Sequence, residues 1–363
     1  MSTFDVLLPV KNGMPYLPEA IDSIRKQTFR DWRLLVLDHG SNDGSVETVH
    51  AYAAKDPRIV LHYVPSAKGW SGLLNHGLER CDCRYVLQQD VDAFSMPDRM
   101  AVLLQALEKD PELVMAGSRG IVVDASSKPV GTIDVPTSHA GILSSMPFRT
   151  PVAHSTAAVR LTALHRIGAR YGIDFVHALP PERRMEVPGL AEDYFLFGQL
   201  ALAGKCINVE RNLIERRYRS ANVGSTRYVE QMRLALAISR YLAESLSIVR
   251  GGGAPAFDPA PFCNHGQSLF AVEGKSNFLD EYEAMQAVMR RSIVASYERE
   301  RELAFRRAIA VRTNARMAGR YFSFASRHGR REFEWRTVRS WALRHLRRKN
   351  MLALTPTGLA SPA

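Results

Sequence analysis

The chain opens with an apolar run, Phe4-Asp-Val-Leu-Leu-Pro-Val10, which reads as a strand and stops at Lys11-Asn12-Gly13. From Tyr16 to Gln27 the apolar positions shift to helical spacing, at Tyr16, Leu17, Ala20, Ile21 and Ile24. The alternation then repeats. Trp32–Leu37 predicts a second strand, closed by the polar loop Asp38–Ser45 and followed by a helix from Val46 to about Ala54. Val60–Val64 predicts a third, which Lys68-Gly69-Trp70-Ser71-Gly72 turns into a helix reaching Leu78. Arg84–Leu87 predicts a fourth, followed by a loop with Asp90 and Asp92 and a helix from about Pro97 to Lys109. Leu113–Gly117 predicts a fifth. This repeated strand–helix alternation predicts an α/β fold, a parallel sheet wrapped by helices.

Beyond the fifth strand the pattern loosens. Ile121–Ile133 reads as two strands around a turn at Ser126-Ser127-Lys128-Pro129, and the proline-rich, charged Ala178–Pro188 as a surface loop over a site. A helix is predicted from about Arg227 to Val249, and Gly251–Pro261 is the clearest linker. Helix returns from Phe278 to about Phe322, where Glu298, Glu300 and Glu302 alternate with Arg299 and Arg301 as a solvated face. A last helix, about Phe333 to Arg348, carries an apolar stripe of Trp335, Val338, Trp341, Ala342 and Leu346. The expected division is a first domain over 1–225, a connecting helix over 226–250, a linker over 251–265, a basic helical extension over 266–350 and a disordered tail over 351–363.

Composition changes this picture in one respect. The net charge of +11 is concentrated between Arg290 and Lys349, where seventeen Arg and one Lys face five Glu, leaving the rest of the chain near neutrality. The four cysteines form no CxxC pair and no evident ligand cluster, which suits a reducing cytosol. There is no leader-like start and no apolar run of about 18 residues for a membrane span.

Candidate chemistry gathers after the strands. In an open α/β sheet, ligands bind at the carboxyl ends of the strands, and those loops hold Asn12, Asp38 and the Asp90/Asp92 pair. Carboxylates two apart in an extended segment share one side and suit Mg²⁺ or Mn²⁺ with substrate phosphates. On spacing alone they are equally a strand-ending acid and a helix cap. No GxGxxG or GxxxxGK[ST] occurs, which argues against dinucleotide and P-loop sites.

The ordered set Leu8-Pro-Val-Lys-Asn12, Ala20–Ile24, Gln27-Thr-Phe29, Asp38–Ser45, Asn75-His-Gly-Leu78 and Asp90-Val-Asp92, then Ala191-Glu192-Asp193-Tyr194, resembles the family 2 glycosyltransferases. The resemblance implies a GT-A fold and inverting sugar transfer from a nucleotide diphosphate. It implies that Pro9, Asn12, Asp38, His39, Lys68, Asn75 and Asp90 lie on the donor nucleotide and that Asp92 holds the metal. It also implies that Asp193 is the catalytic base, with Glu192 and His154 as acceptor-side candidates. The bland reading of Glu192 and Asp193 is helix capping, and that of His154 a structural histidine. Two departures stand out. His39 follows Asp38 where the family has a second acid, which leaves the base open between UDP, the first choice, and GDP or dTDP. The family's Tyr-Arg-x-His appears as Tyr218-Arg219-Ser220-Ala221, and Arg216, Arg217, Arg219 or Arg227 is the expected substitute on phosphate.

The expected acceptor is a glycan or lipid-linked sugar. The basic amphipathic last helix fits either an anionic membrane surface or packing on the main domain. The expected place is cytoplasmic, or peripheral at the inner face of the cell membrane. Nucleic acid is disfavoured as a partner. The rival reading is a non-catalytic nucleotide-sugar-binding or scaffold protein whose basic tail binds membrane or nucleic acid.

Overall fold

In the computed structural model, which describes residues 2–218, 227–253, 255–263, 272, 274–312 and 314–343, strand β1 (Ser2–Val10) is central to the sheet's parallel half. β2 (Trp32–Asp38) runs parallel on one side with β3 (Ile59–Tyr63) beyond it, and β4 (Cys83–Gln88) runs parallel on the other. Helices α1 (Leu17–Arg25), α2 (Ser45–Ala53) and α3 (Gly69–Leu78) make the crossovers, and α4 (Arg99–Lys109) follows β4. β1 is apolar from Val6 to Val10 because both its faces are covered there. Val6, Leu8 and Val10 meet Ile21 and Ile24 of α1, whereas Leu7 joins the opposite cluster with Leu73 and Leu74 of α3.

The second half departs from the predicted all-parallel sheet. Short β5 (Ala93–Ser95) follows β4, and the expected fifth strand is the longer β6 (Leu113–Val123). β6 does not pair with β4. The three-residue β8 (Ala158–Arg160) is inserted antiparallel between them, with Val159 opposite both Val86 and Met115. β6 turns back through Ser126–Lys128 into β7 (Pro129–Ile133), the expected hairpin, and pairs in parallel with β9 (Lys205–Arg217). The order is β3-β2-β1-β4-β8-β6-β9-β5. A three-residue strand is too short to show a period, so β5 and β8 left no pattern to read. Helix α4 begins at Arg99 rather than Pro97, with Asp98 at its cap.

Helices α5 (His139–Ser145), α6 (Leu161–Ile167), α7 (Glu192–Ala203) and α8 (Tyr228–Arg250) cover this half. The single helix expected over 278–322 is three: α9 (Leu279–Ser292), α10 (Tyr297–Ala308) and α11 (Asn314–His328). α9 ends as Ile293 becomes extended, and Ser296 starts α10 by accepting the Arg299 N–H on its hydroxyl. The chain ends its described course in α12 (Glu332–Ala342), and the predicted continuation to Arg348 lies outside the described residues.

The charged face predicted on α10 is not solvated. Arg299, Arg301, Glu302 and Arg306 are buried. Arg301 pairs with Glu334 of α12 and Arg306 with Glu302, while Arg306 also donates to the Phe262 carbonyl at 2.6 Å. Glu298 accepts the Thr137 and Ser138 N–H groups at 2.8 Å each, at the start of α5. Alternating sign on a helix could not reveal that its partners came from three other segments. The apolar stripe of α12 is likewise packed: Val338 and Trp341 are buried, and the Arg312 guanidinium lies 3.5 Å from the Trp341 ring centre. Val338 and Trp341 are thus covered by the protein, Trp335 and Ala342 only in part, and Leu346 and Arg344–Arg348 lie outside the described residues. Phe257, Ala260 and Phe262, in the expected linker, are buried, the two phenylalanines against the Phe148 ring, and one hydrophobic cluster runs from Leu7 to Trp341. Among the described residues no helix is long and apolar enough to cross a membrane.

Candidate functional site

β1 to β4 all end at one edge, and their loops are laced together there. Asn12, at φ 53°, accepts the Asn42 N–H on its side-chain oxygen and donates its own N–H to Ser41, both at 2.9 Å. Asp38 is buried and shapes its loop by accepting the Gly40 and Ser41 N–H groups at 2.9 Å each. His39 Nε2 lies 3.0 Å from the Ala67 carbonyl, with the Trp70 ring nearby. Lys68 is exposed just ahead of α3, and Pro9 is buried in β1 opposite Leu37. Asn75 faces elsewhere: both ends of its amide hold the Tyr171 backbone, at 2.8 and 2.9 Å.

Pairing of β4 with β8 brings a second segment to this edge. The Gln88 N–H donates to the Ala157 carbonyl at 2.9 Å, which sets the turn His154–Thr156 beside Asp90. His154 Nδ1 is 2.8 Å from Asp90 Oδ1, and Ser155 Oγ donates to Asp90 Oδ2 at 2.5 Å. The imidazole stacks on Phe197 of α7, and its Nε2 is 3.4 Å from the Tyr171 hydroxyl.

Burial pulls the His154 pKa down, but Asp90 first, then Asp193 and Glu192, outweigh it and hold it up at about 9. Burial likewise pushes Asp90 up and is overcome by His154, Ser155 and Arg216, so the carboxyl stays down at about 2. The two form a charged pair near neutral pH. Asp92 follows on the same loop, its carbonyl accepting the Arg217 N–H at 2.8 Å.

Glu192 and Asp193 open α7 beyond two residues of positive φ, Leu190 (61°) and Ala191 (78°). Non-glycine residues in that region are strained and cluster at functional sites. Asp193 accepts the Tyr194 N–H on Oδ1 at 2.7 Å. Burial and the Asp193 charge push Glu192 up to about 7, and burial raises Asp193. The approach to this pair is pinned to α3: the Ser71 hydroxyl donates to the Val187 carbonyl at 2.6 Å, and the Val187 N–H to the Gly172 carbonyl at 2.8 Å. Gly172, at φ 75°, has no room for a Cβ, which would stand 2.4 Å from the Val187 oxygen.

Asp90, Asp92, His154, Glu192 and Asp193 thus share one end of the fold with Asn12, Asp38, His39 and Lys68. Sequence reasoning missed Ser155, Tyr171 and Arg99. The Arg99 guanidinium is buried, donates to Gln89, Ser95 and the Gln88 carbonyl at 2.7–2.8 Å, and braces the loop that carries Asp90. No motif marks any of the three. Among the arginines expected on phosphate, Arg216 acts electrostatically on Asp90, Arg217 pairs with Glu19, Arg227 pairs with Glu230, and Arg219 lies outside the described residues.

The donor set fits a divalent ion only in part. Both oxygens of Asp90 are engaged, which leaves Asp92 as the protein carboxylate for a hard cation that keeps its remaining positions for phosphate and water. Cys81 and Cys83, expected to lack partners, do meet Asp5 within 4.8 Å. Arg33 already occupies both Asp5 oxygens, at 2.9 and 2.7 Å, so that trio is an ion-pair site.

Known proteins place this arrangement. Residues 5–166 match the family described as Glycosyl transferase family 2. EpsE of Bacillus subtilis, described by inference as a glycosyltransferase, is 27% identical over 266 residues, 71% of this chain and 91% of that one. The O-antigen biosynthesis glycosyltransferase WbnJ of Escherichia coli is 24% identical over 158 residues, 43% of this chain and 61% of that one. Residues 1–349 of TarS from S. aureus superpose with a TM-score of 0.51 at 13% identity, over 96% of this chain and 92% of that one, a likeness of fold alone. Residues 5–166 thus carry a glycosyltransferase family 2 domain, and the chain is a transferase enzyme with a GT-A fold and a helical C-terminal region.

Proposed function

We propose that the chain is an inverting glycosyltransferase that moves a sugar from a nucleotide-diphosphate donor to a hydroxyl of a glycan or lipid-linked acceptor. The observation that carries this reading is the convergence of the β4 loop and the start of α7 on His154, which bonds Asp90 and lies in the field of Asp193. The names of relatives such as WbnJ support a role in polysaccharide biosynthesis.

In this reading Asp193 takes the proton of the acceptor hydroxyl as that oxygen attacks the anomeric carbon and the bond to the diphosphate breaks. Its raised pKa makes it a better base than an exposed carboxylate. Asp193 Oδ1 is held by the Tyr194 N–H, leaving Oδ2 for the proton. Asp90 is fixed by His154 and Ser155, and its remaining lone pairs face the ribose. Asn12, Asp38, His39 and Lys68 border the nucleotide. Pro9, in β1, and Asn75, through its hold on the Tyr171 backbone, support the pocket walls. Asp92 would hold Mg²⁺ or Mn²⁺, which when bound neutralises charge on the departing diphosphate.

The test is a thermal-shift panel of UDP, GDP, dTDP and CDP, each with and without Mn²⁺. A ligand bound only to the native state adds about 2.7 kcal/mol at a hundredfold excess over its Kd. One nucleotide raising the midpoint only with metal, and losing that effect in Asp92→Asn, is expected. No shift with any of the four would return the weight to a non-catalytic scaffold.

A further inference from the structure

Outside this site, arginines without an ion pair among the described residues gather in the helical region. α9, α10 and α11 enclose an open cavity of about 540 Å³. Each helix gives one stripe to it, and each stripe carries arginine: Arg290 from α9, Arg307 from α10, and Arg320 and Arg327, seven apart, from α11. The one acid in the lining, Glu300, is already taken by Arg290 at 3.0 Å and by Arg299 at 2.6 Å. Arg307, Arg320 and Arg327 make no ion pair among the described residues, although Arg301 and Arg306 on the same helix α10 are fully paired.

Favourable placement of cations at helix C-termini accounts for part of this. Arg290, Arg307 and Arg327 each lie in a last turn. It does not account for Arg320, in mid-helix, nor for the convergence of all of them on one concavity, where like charges repel. A cleft lined by one sign of charge focuses its field on a ligand of the opposite sign. The guanidinium fork matches the oxygens of phosphate or carboxylate. Between the arginines the lining is neither flat nor wholly polar: the rings of Tyr282 and Phe324 form part of it.

We propose that this cavity is a second binding site, for an anionic sugar carrying phosphate or carboxylate. Its oxyanion sits between Arg307, Arg320 and Arg327, and its ring lies against the apolar part of the lining, to which the largely buried Tyr282 and Phe324 contribute. The use of the site to hold an acidic acceptor chain rests on the glycosyltransferase reading above; the binding itself does not.

The test is calorimetry on the full chain with glucose 1-phosphate, glucuronate and glucose, at two salt concentrations, for the native protein, Arg307→Gln/Arg320→Gln, Phe324→Leu and Asp193→Asn. The expected result is that the two anionic sugars bind and glucose does not, that affinity falls at least tenfold in the double arginine variant and more steeply with salt in the native protein, and that Asp193→Asn binds as the native protein does. Midpoints of thermal unfolding and nucleotide binding within error of native show that both cavity variants are folded. The proposal is overturned if neither anionic sugar binds, if the double arginine variant binds them as tightly as the native chain, or if glucose binds equally. Vesicles of phosphatidylglycerol are the remaining arm: capture by them alone, lost in the same arginine variant, replaces the sugar with a lipid surface and also overturns it. Transfer at the native rate in Asp193→Asn, with sugar binding intact, would fault the catalytic reading and leave this one standing.

Discussion

His154 Nδ1 stands 2.8 Å from Oδ1 of Asp90, although 64 residues separate them, and each holds the other in its charged form. The contact fastens the turn before β8 to the loop after β4, so the carboxylate proposed to face the donor is oriented by the segment proposed for the acceptor side.

Replacing His154 by Gln removes the charge but keeps a donor. A hydrogen bond to a charged group is worth about 1.5–3 kcal/mol, so kcat/KM should fall roughly ten- to a hundredfold. Ser155→Ala, which removes only a neutral donor from the same carboxylate, should cost less. Steady-state kinetics of the two variants decide it, and an unchanged kcat/KM in His154→Gln would remove the pair from the working site.

How much of this could be read beforehand follows from the range of each interaction. β1 to β4 and their helices were legible because each repeats a local period, and the strand-end acids came with them. The ED pair at 192–193 was legible as a motif, but its strained approach through Leu190 and Ala191 was not, since nothing in those residue types demands a positive φ. His154 could be singled out only as a lone histidine. Its partner became visible once β8 was found between β4 and β6, an insertion of three residues with no pattern of its own. Asn75 resembled a donor-site residue by position, yet its amide is used on Tyr171, a residue 96 positions away. The arginine-rich region misled for the same reason. Its charges read as solvated because their partners, Glu334 for Arg301 and the Phe262 carbonyl for Arg306, are set by tertiary packing.

The Arg301–Glu334 pair is buried on both sides. Removing one partner of such a pair leaves an uncompensated charge and costs about 3–5 kcal/mol. Glu334→Gln and Arg301→Met should each lower the unfolding midpoint sharply, whereas the double variant Arg301→Met/Glu334→Leu should recover much of the loss. Denaturant unfolding of the three measures the coupling. Additive losses in the double variant would mean that the two side chains do not meet.

Trp341 tests whether the last described helix is structural. The side chain is buried beneath Arg312, so Trp341→Ala should destabilise the chain by about 3–5 kcal/mol. Trp335, only partly covered, should cost less. Denaturation midpoints give the answer: a Trp341→Ala protein as stable as the native one would detach α12 from the core and restore the stripe to a surface role.

His139 predicts the acid side of the stability profile. It opens α5, and its Nδ1 accepts the Cys206 N–H at 3.3 Å. Burial, with Arg250 and Lys205 adding to it, pushes the imidazole pKa from 6.5 down to about 4. Between those two values the unfolded chain holds a proton that the native chain does not, so acid favours unfolding. The contribution is intact above pH 6.5, declines as the pH falls toward about 4, and is then fully lost. Allowing for partial exposure, the loss is on the order of 2 kcal/mol. Asn at this position offers an acceptor that does not titrate. The stability of His139→Asn should therefore fall less than that of the native protein between pH 7 and about pH 4.5, as measured by urea unfolding at each pH. Parallel declines in the two proteins would show that His139 takes up its proton without hindrance in the folded state.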